Sequence, residues 1–286
     1  MNYRMLLQEG RNYLTSCGVW EADTDARYLL EYVTGLDRTH YFLNQMEECP
    51  LLQQERFEKL LQKRGRHIPL QYLTGTQEFM GFSFRVNEQV LIPRQDTELL
   101  VLETLKKINA DSSVLDMCTG SGCIIISLNL LAGKRAPAGE KGPSARYTAA
   151  DISAGALAVA EENADRLGAD IEFINSDLFE KVEGMYDCIV SNPPYIKSAE
   201  IPGLMPEVRD HEPCLALDGQ EDGLYFYRKI TKEAGAYLKA GGWLLFETGF
   251  DQGKAVAQLM KDQGYTEIEI KKDLAGLDRV VSGRRQ

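Results

Sequence analysis

Apolar residues recur at helical spacing from the N-terminus to about residue 70. The stretch Glu21–Val33 puts Ala26, Leu29, Leu30 and Val33 on one face, with Asp23 or Thr24 as the expected N-cap and Gly35 as the stop. A further helix is expected after Pro50, carrying Phe57, Leu60 and Leu61 on one side. No strand-like alternation interrupts this region. The pattern predicts a helical bundle over residues 1–74, suited to partner recognition and too short to do chemistry alone. Pro69–Gly75 then breaks the helical spacing. Phe79–Val86 alternates, and Asn87-Glu88 is placed to turn it into Val90–Ile92, which predicts a β-hairpin connector over 75–92. Ile92–Glu98 opens a helix over Leu99–Lys107 that Asp96 or Thr97 can cap.

From residue 113 the period switches between two and 3.6. Strands are expected at 114–117, 147–151, 171–174, 186–190, 243–246, 266–271 and 279–281, with helices at 122–132, 157–167, 222–238 and 254–263 between them. Strands alternating with helices imply an α/β fold, a Rossmann-like and mostly parallel seven-stranded sheet, over 93–286. Lys134–Ser144 is rich in Gly, Pro and charge and is expected to be an exposed, mobile loop outside any site.

Composition narrows the function classes. The chain has 286 residues and a net charge of −11. That balance disfavours sequence-independent nucleic-acid binding, which needs many Lys and Arg phosphate contacts. Arg56–Arg66 is the best candidate for a local basic patch, and a solvated helix face is the plainer and preferred reading of it. The N-terminus lacks the apolar core of a secretory signal, and no apolar run reaches the ~18 residues of a membrane span. The six cysteines show no CxxC spacing and the three histidines no metal-ligand spacing. A cytoplasmic protein without a metal site is expected.

The candidate chemistry sits where strands end. Asp116-Met-Cys-Thr-Gly-Ser-Gly122 joins the first strand to its helix. Glycines there let the backbone approach a ligand closely. The third glycine of the dinucleotide fingerprint is missing, since Ile125 stands in its place, and the acid Asp116 precedes the loop. A carboxylate repels a pyrophosphate and welcomes a cation, which shifts the expected cofactor from NAD to S-adenosylmethionine. A tight βα turn is the plainer alternative. Asp151, ending the second strand, can accept two ribose hydroxyls or simply favour a helix N-terminus. Asp177, Leu178 and Phe179 follow the third strand, where an adenine could pass. Arg94 and Glu98 read either as helix-end residues or as ligand contacts. After the fourth strand, Ser191-Asn-Pro-Pro-Tyr195 leaves the sheet, because two consecutive prolines cannot continue a ladder. The Asn192 carboxamide and a free backbone carbonyl can accept both N–H bonds of one planar amino group, and Tyr195 can pack on it.

Taken with these motifs, the chain resembles the peptide chain release factor glutamine N5-methyltransferases over nearly its whole length. The resemblance is carried by Ile92–Glu98, Leu115–Gly122, Asn192-Pro-Pro-Tyr195, Pro206-Glu-Val-Arg-Asp-His-Glu-Pro213, Leu215-Ala-Leu-Asp-Gly219 and Asp273–Val281. It implies a class I S-adenosylmethionine-dependent methyltransferase domain joined by a β-hairpin to an N-terminal helical domain. It also implies methyl transfer to the side-chain N5 of the Gly-Gly-Gln glutamine of class 1 release factors, by a monomer that binds no nucleic acid directly. Asn192, Pro193, Pro194 and Tyr195 would hold the substrate. Asp116, Cys118, Thr119, Gly120, Ser121, Gly122, Asp151, Asp177, Leu178, Asn192 and Glu98 would hold the cofactor. Many relatives have glycine where Cys118 stands, so either that position does not need a positive φ or the loop differs. Cysteine also stands there in related enzymes that methylate a glutamine of a large-subunit ribosomal protein, which is the alternative substrate. Amino-group methylation of nucleic acid is a more distant one.

Overall fold

The computed structural model describes residues 1–135 and 145–286, with the side chains of 133–135 excepted. The expected loop over 134–144 falls almost wholly outside them. The described chain forms two compact units, one of Met1–Thr76 with Met205–His211, the other of Gln77–Leu204 with Glu212–Gln286.

In the first unit, α1 (Tyr3–Ser16) begins at Asn2, whose side-chain oxygen accepts the Met5 N–H at 2.8 Å. α2 (Ala22–Thr34) stops at Gly35, which takes the left-handed φ of 72° expected of it. Its start differs from expectation. Glu21 is the N-cap, and Asp23 and Asp25 lie inside the first turn, where the helix dipole favours acids. α3 (Arg38–Asn44) is capped by Asp37, and α4 (Leu51–Arg64) and α5 (Leu70–Thr74) follow. Leu14, Ala26, Leu29 and Phe57 are fully buried in the core. Arg56, Lys59 and Lys63 lie on the exposed face of α4, so most of the basic stretch is a solvated helix face. Arg64 is the exception. It is buried between two acids, with Nε 2.6 Å from Asp25 and Nη2 2.9 Å from Glu207. His67 Nδ1 also reaches Glu207, at 3.1 Å. These charges tie the short helix α9 (Pro206–Arg209) to the helical bundle.

The second unit opens with β1 (Thr76–Phe79) and β2 (Phe82–Arg85). The hairpin turns at Met80-Gly81, with φ of 52° and 78°, rather than at Asn87-Glu88. Two positive φ values suit the twist of a two-residue hairpin, and Gly81 takes one without cost. Asn87 instead makes a local turn, accepting the Gln89 N–H at 2.9 Å, and Val90–Ile92 is not a strand. Asn163 holds β2 in place, accepting from Arg85 N at 2.6 Å and donating to Arg85 O at 3.0 Å. α6 (Gln95–Lys107) starts at Arg94 with no side-chain cap, so neither Asp96 nor Thr97 plays that part.

The sheet contains β3 (Ser113–Met117), β4 (Arg146–Asp151), β5 (Glu172–Asn175), β6 (Tyr186–Ser191), β7 (Leu238–Glu247), β8 (Thr266–Lys272) and β9 (Asp278–Arg284). Their order is β5-β4-β3-β6-β7-β9-β8, and β9 runs antiparallel to both its neighbours. Alternate residues face opposite layers. Val114 belongs to the core that includes α6 and α7 (Cys123–Arg135), whereas Leu115 and Met117 belong to the core beneath α11 (Tyr225–Ala234) and α12 (Gly253–Asp262). α8 (Ala154–Leu167) and the short α10 (Cys214–Leu217) complete the unit. From β3 the chain winds outward one way through β4 and β5, then returns to the centre at β6 and winds the other way. That reversal opens a crevice at the C-terminal ends of β3 and β6, the usual ligand position in such sheets.

Candidate active site

A cavity of about 270 Å³ lies at this crevice. Its wall includes Met117 at the end of β3 and Cys118–Ser121 in the loop after it, Asp151 at the end of β4, Asp177 and Leu178 after β5, and Asn192 and Pro194 after β6. The topology thus brings together residues up to 77 positions apart (117 to 194) because each lies at or just past the C-terminal end of a strand.

The loop after β3 is held by its own backbone. Thr119 N donates to Ala150 O at 3.1 Å, and Gly120 N to Asp151 Oδ2 at 2.9 Å. Cys118 has φ 63°, so this position does take the left-handed conformation, and a cysteine bears it. Burial pushes its thiol far up, which keeps it protonated. Gly120 (φ 56°) has open space where a Cβ would stand, whereas a Cβ on Gly122 would lie 2.8 Å from Ile126 Cδ1 and 3.1 Å from Ala160 Cβ. Gly120 therefore leaves room beside the backbone, while Gly122 permits the packing of α7 against α8.

Asp116 does not reach the wall. It is fully buried behind the loop, Oδ2 accepts the Thr119 hydroxyl at 2.6 Å, and Oδ1 has no partner among the described residues. Burial raises its carboxyl to about 7, with the Thr119 hydrogen bond opposing. It braces the loop from below, so the expectation of a carboxylate facing a cationic ligand needs correcting. Glu98 is also set back, its Oε1 accepting the Met80 N–H at 2.7 Å. Asp151 does face the cavity. Oδ2 and Oδ1 each accept one backbone N–H, from Gly120 and Ser153, both at 2.9 Å. A carboxylate has about four lone-pair positions, so roughly two remain.

Asn192 is half-buried, with Nδ2 3.4 Å from Thr97 Oγ1. Pro193 is buried, and among the described residues no backbone N–H donates to its carbonyl. Ser191 Oγ donates to Met117 O at 2.7 Å, locking the exit of β6 to that of β3. Tyr195 is not in the wall. Its ring packs against the core beneath α11, and its hydroxyl donates to Glu247 Oε1 at 3.4 Å. The stretch 215–219 clamps this loop: Ile196 N donates to Leu217 O at 3.0 Å and Gly219 N to Ile196 O at 2.7 Å.

Pattern reasoning missed part of the wall. Tyr225, Phe226 and Lys229 of α11 line it, with Lys229 Nζ 5.1 Å from the Tyr225 ring centre. Helical spacing alone could not separate these from core positions. Arg94 also borders the cavity, with Nη2 2.6 and 2.8 Å from the two oxygens of buried Glu212. Among the described residues no cluster of His, Cys, Asp and Glu could hold a metal ion, and no helix is long and apolar enough to cross a membrane.

Comparison with known proteins places this architecture. The family model of the PrmC N-terminal domain matches residues 5–75, and that of the methyltransferase small domain matches 95–205. A methyltransferase structure from Pyrococcus furiosus superposes with a TM-score of 0.52 at 17% identity, covering 72% of this chain and 90% of that one, which shows a shared class I methyltransferase fold. The release factor glutamine methyltransferase of Geobacter sulfurreducens is 40% identical over 98% of this chain and 96% of its own length. That of Moorella thermoacetica is 40% identical over 100% of this chain and 99% of its own. At such identity over whole chains, on a fold with this loop arrangement, the chain belongs to the release factor glutamine methyltransferase family.

Proposed function

We propose that the chain methylates the side-chain N5 of the glutamine in the Gly-Gly-Gln motif of class 1 release factors, with S-adenosylmethionine as donor, in the cytoplasm. The observation that carries this reading is the position of Asn192. It stands in the cavity wall at the end of β6, beside the β3 loop, with its Nδ2 turned to Thr97. Its Oδ1 is then the end left for a substrate.

The cavity suits the cofactor. The open space at Gly120 admits a ligand against the backbone, Met117, Ile152 and Leu178 offer apolar surface to a flat ring, and Asp151 keeps lone pairs for hydroxyl donors. When bound, S-adenosylmethionine supplies a methyl group on a positively charged sulfur. An amide nitrogen is a poor nucleophile, because its lone pair is delocalised into the carbonyl. Asn192 Oδ1 and the Pro193 carbonyl would accept its two N–H bonds. They would fix its direction and stabilise the positive charge that grows on it as the sulfur–methyl bond breaks and neutral S-adenosylhomocysteine is left; the methylated nitrogen would then release one N–H proton to solvent. Positioning of this kind can supply as much as ~7–11 kcal/mol. Tyr195 acts from behind the loop, holding its shape.

Incubation with labelled S-adenosylmethionine and a release factor, the large-subunit ribosomal protein or DNA tests the reading. Label is expected on the release factor glutamine and lost in Asn192→Ala, with cofactor affinity retained. Label on DNA or the ribosomal protein alone overturns it.

A further inference from the structure

Two cations and two carboxylates line the cavity among the described residues: Arg94 and Lys229, Asp151 and Asp177. Arg94 is the N-cap of α6 and is held from outside the wall. Its Nη2 donates to both oxygens of Glu212, at 2.6 and 2.8 Å, and the Glu212 side chain is only 1% exposed. A guanidinium spreads its N–H donors over Nε, Nη1 and Nη2. Glu212 takes those of Nη2, and among the described residues no acceptor meets Nε or Nη1. The Arg94 side chain is 40% exposed. A buried acid thus fixes one corner of the fork and leaves the rest of it to a ligand, in the planar geometry that suits a carboxylate.

Position says which carboxylate. Strands β4, β3 and β6 lie side by side, so Asp151, the glycine loop and Asn192 follow one another along the sheet edge. Thr97 stands one turn into α6, with its N–H donating to Arg94 O at 3.1 Å and its Oγ1 3.4 Å from Asn192 Nδ2. Arg94 therefore belongs to the Asn192 end of the cavity. The sulfonium of S-adenosylmethionine has three arms. With the ribose at Asp151 and the methyl group directed at Asn192, the third arm is an amino-acid tail that ends in a carboxylate. Asp151 repels that charge. The glycine loop has already given three of its N–H groups, those of Thr119, Gly120 and Gly122, to Ala150 O, Asp151 Oδ2 and Thr119 O. Lys229 rises from α11 and lies over the Tyr225 ring, 5.1 Å from its centre.

We propose that Arg94, fixed by Glu212, binds the carboxylate of the methionine portion of S-adenosylmethionine. Its premise is that the cavity takes the cofactor, as the proposed function requires. Glu212 touches no ligand and holds the guanidinium in place.

Decarboxylated S-adenosylmethionine, which keeps the adenosine, the sulfonium and the amino group, is the probe. Calorimetric titration of the full chain compares it with S-adenosylmethionine. Wild type should prefer S-adenosylmethionine on the order of tenfold to a hundredfold, as hydrogen bonds to a charged group imply. Arg94→Met should lose that preference by binding S-adenosylmethionine less tightly, with the decarboxylated form bound as before. Arg94→Met also strands the buried Glu212 carboxylate, so Arg94→Met/Glu212→Gln is measured beside it and should lose the same preference. Lys229→Met should keep the wild-type ratio, whatever it does to both affinities. Three results overturn the proposal: a ratio kept by the Arg94 variants, both ligands weakened alike in them, or a ratio lost in Lys229→Met. A wild-type chain that binds both ligands equally overturns it too, and leaves the proposed function standing. A wild-type chain that binds neither brings down the proposed function with it.

Discussion

Gln252 Nε2 lies 2.9 Å from the carbonyl oxygen of Tyr195. The same nitrogen is 3.4 Å from Gly223 O, and Gln252 Oε1 accepts the Gly249 N–H at 3.1 Å. One buried carboxamide therefore ties the Asn-Pro-Pro-Tyr loop to the start of α12. Gln252→Leu keeps much of the volume and leaves two carbonyls without their donor. An unsatisfied buried acceptor costs ~1–3 kcal/mol. Urea unfolding should register that loss, and kcat should fall with it because the loop that carries Asn192 loosens. Unaltered stability and turnover would show that the prolines alone hold the loop.

Gly219 makes a similar case on steric grounds. A Cβ there would stand 2.7 Å from Tyr195 Cα and 2.8 Å from its carbonyl carbon, so backbone must move. Gly219→Ala should destabilise by ~1–3 kcal/mol, as overpacking does. Its kcat should drop more than its affinity for the cofactor. Gly203→Ala is the control, since nothing lies within 4 Å of a Cβ there. Equal behaviour of the two variants in unfolding and kinetics would sink the argument.

Cys118 carries a conformation that glycine bears more cheaply. A non-glycine residue in the left-handed region costs ~1–3 kcal/mol, and glycine returns ~0.5–1 through the freedom of the unfolded chain. Cys118→Gly should therefore leave stability unchanged or raise it, by up to about 2 kcal/mol. Cys118→Val adds a branch at Cβ to the same φ and should lose ~2 kcal/mol and weaken cofactor binding. Calorimetric titration with S-adenosylmethionine, beside urea unfolding, separates the two. A valine variant as stable as the glycine variant would remove strain from the account.

The parts of this structure visible in the residue pattern are those whose cause is local. The strands at 114–117 and 186–190 announce themselves by apolar runs, and the loops after them by Gly120, Gly122, Pro193 and Pro194. Gly35 stops its helix because no neighbour needs to agree. What the pattern could not disclose depends on partners far along the chain. Asp116 turns away from the cavity because Thr119 and the closed loop claim it. The Tyr195 ring turns inward because Glu247 receives its hydroxyl. The hairpin turns at Met80 because Glu98, 18 residues later, accepts its N–H. Helix α9 joins the helical bundle because Arg64, 143 residues earlier, needs a second acid.

Arg64 is the next test. Its side chain is 7% exposed and neutralises Asp25 and Glu207, whose side chains are 6% and 13% exposed. Burial raises the Asp25 carboxyl despite Arg64. Burial also works on Glu207, but hydrogen bonds from its own backbone N–H, His67 and Arg64 outweigh it and hold that carboxyl low. Arg64→Met leaves two buried acids without their cation and should cost ~3–5 kcal/mol. Asp25→Asn added to it should recover part of that loss. A single variant that unfolds at the wild-type urea concentration would show the cluster to be solvated.

Two buried carboxyls make a pH prediction with a definite sign. Burial raises Asp116 and Glu247 to about 7, from ordinary values of 3.8 and 4.5. Around Glu247 the Thr97 and Tyr195 hydrogen bonds and the Arg279 charge work downward, and Asp96 upward. A carboxyl raised by folding holds its proton more tightly in the folded chain than in the unfolded one. Its contribution to stability is therefore full below the unfolded value, falls as pH rises to about 7, and levels beyond. Each pH unit is worth ~1.4 kcal/mol per group, so each should cost ~2–3 kcal/mol between about pH 5 and about pH 8. Asp116→Asn keeps an oxygen for the Thr119 hydroxyl and cannot titrate. The stability difference between wild type and this variant should thus move against the wild type by ~2–3 kcal/mol over that interval. Glu247→Gln should behave alike in stability. Urea unfolding of the three proteins across the pH interval gives the slopes directly. Parallel curves would mean that both carboxyls titrate as they do in water, and that water reaches them behind the loops that frame the cavity.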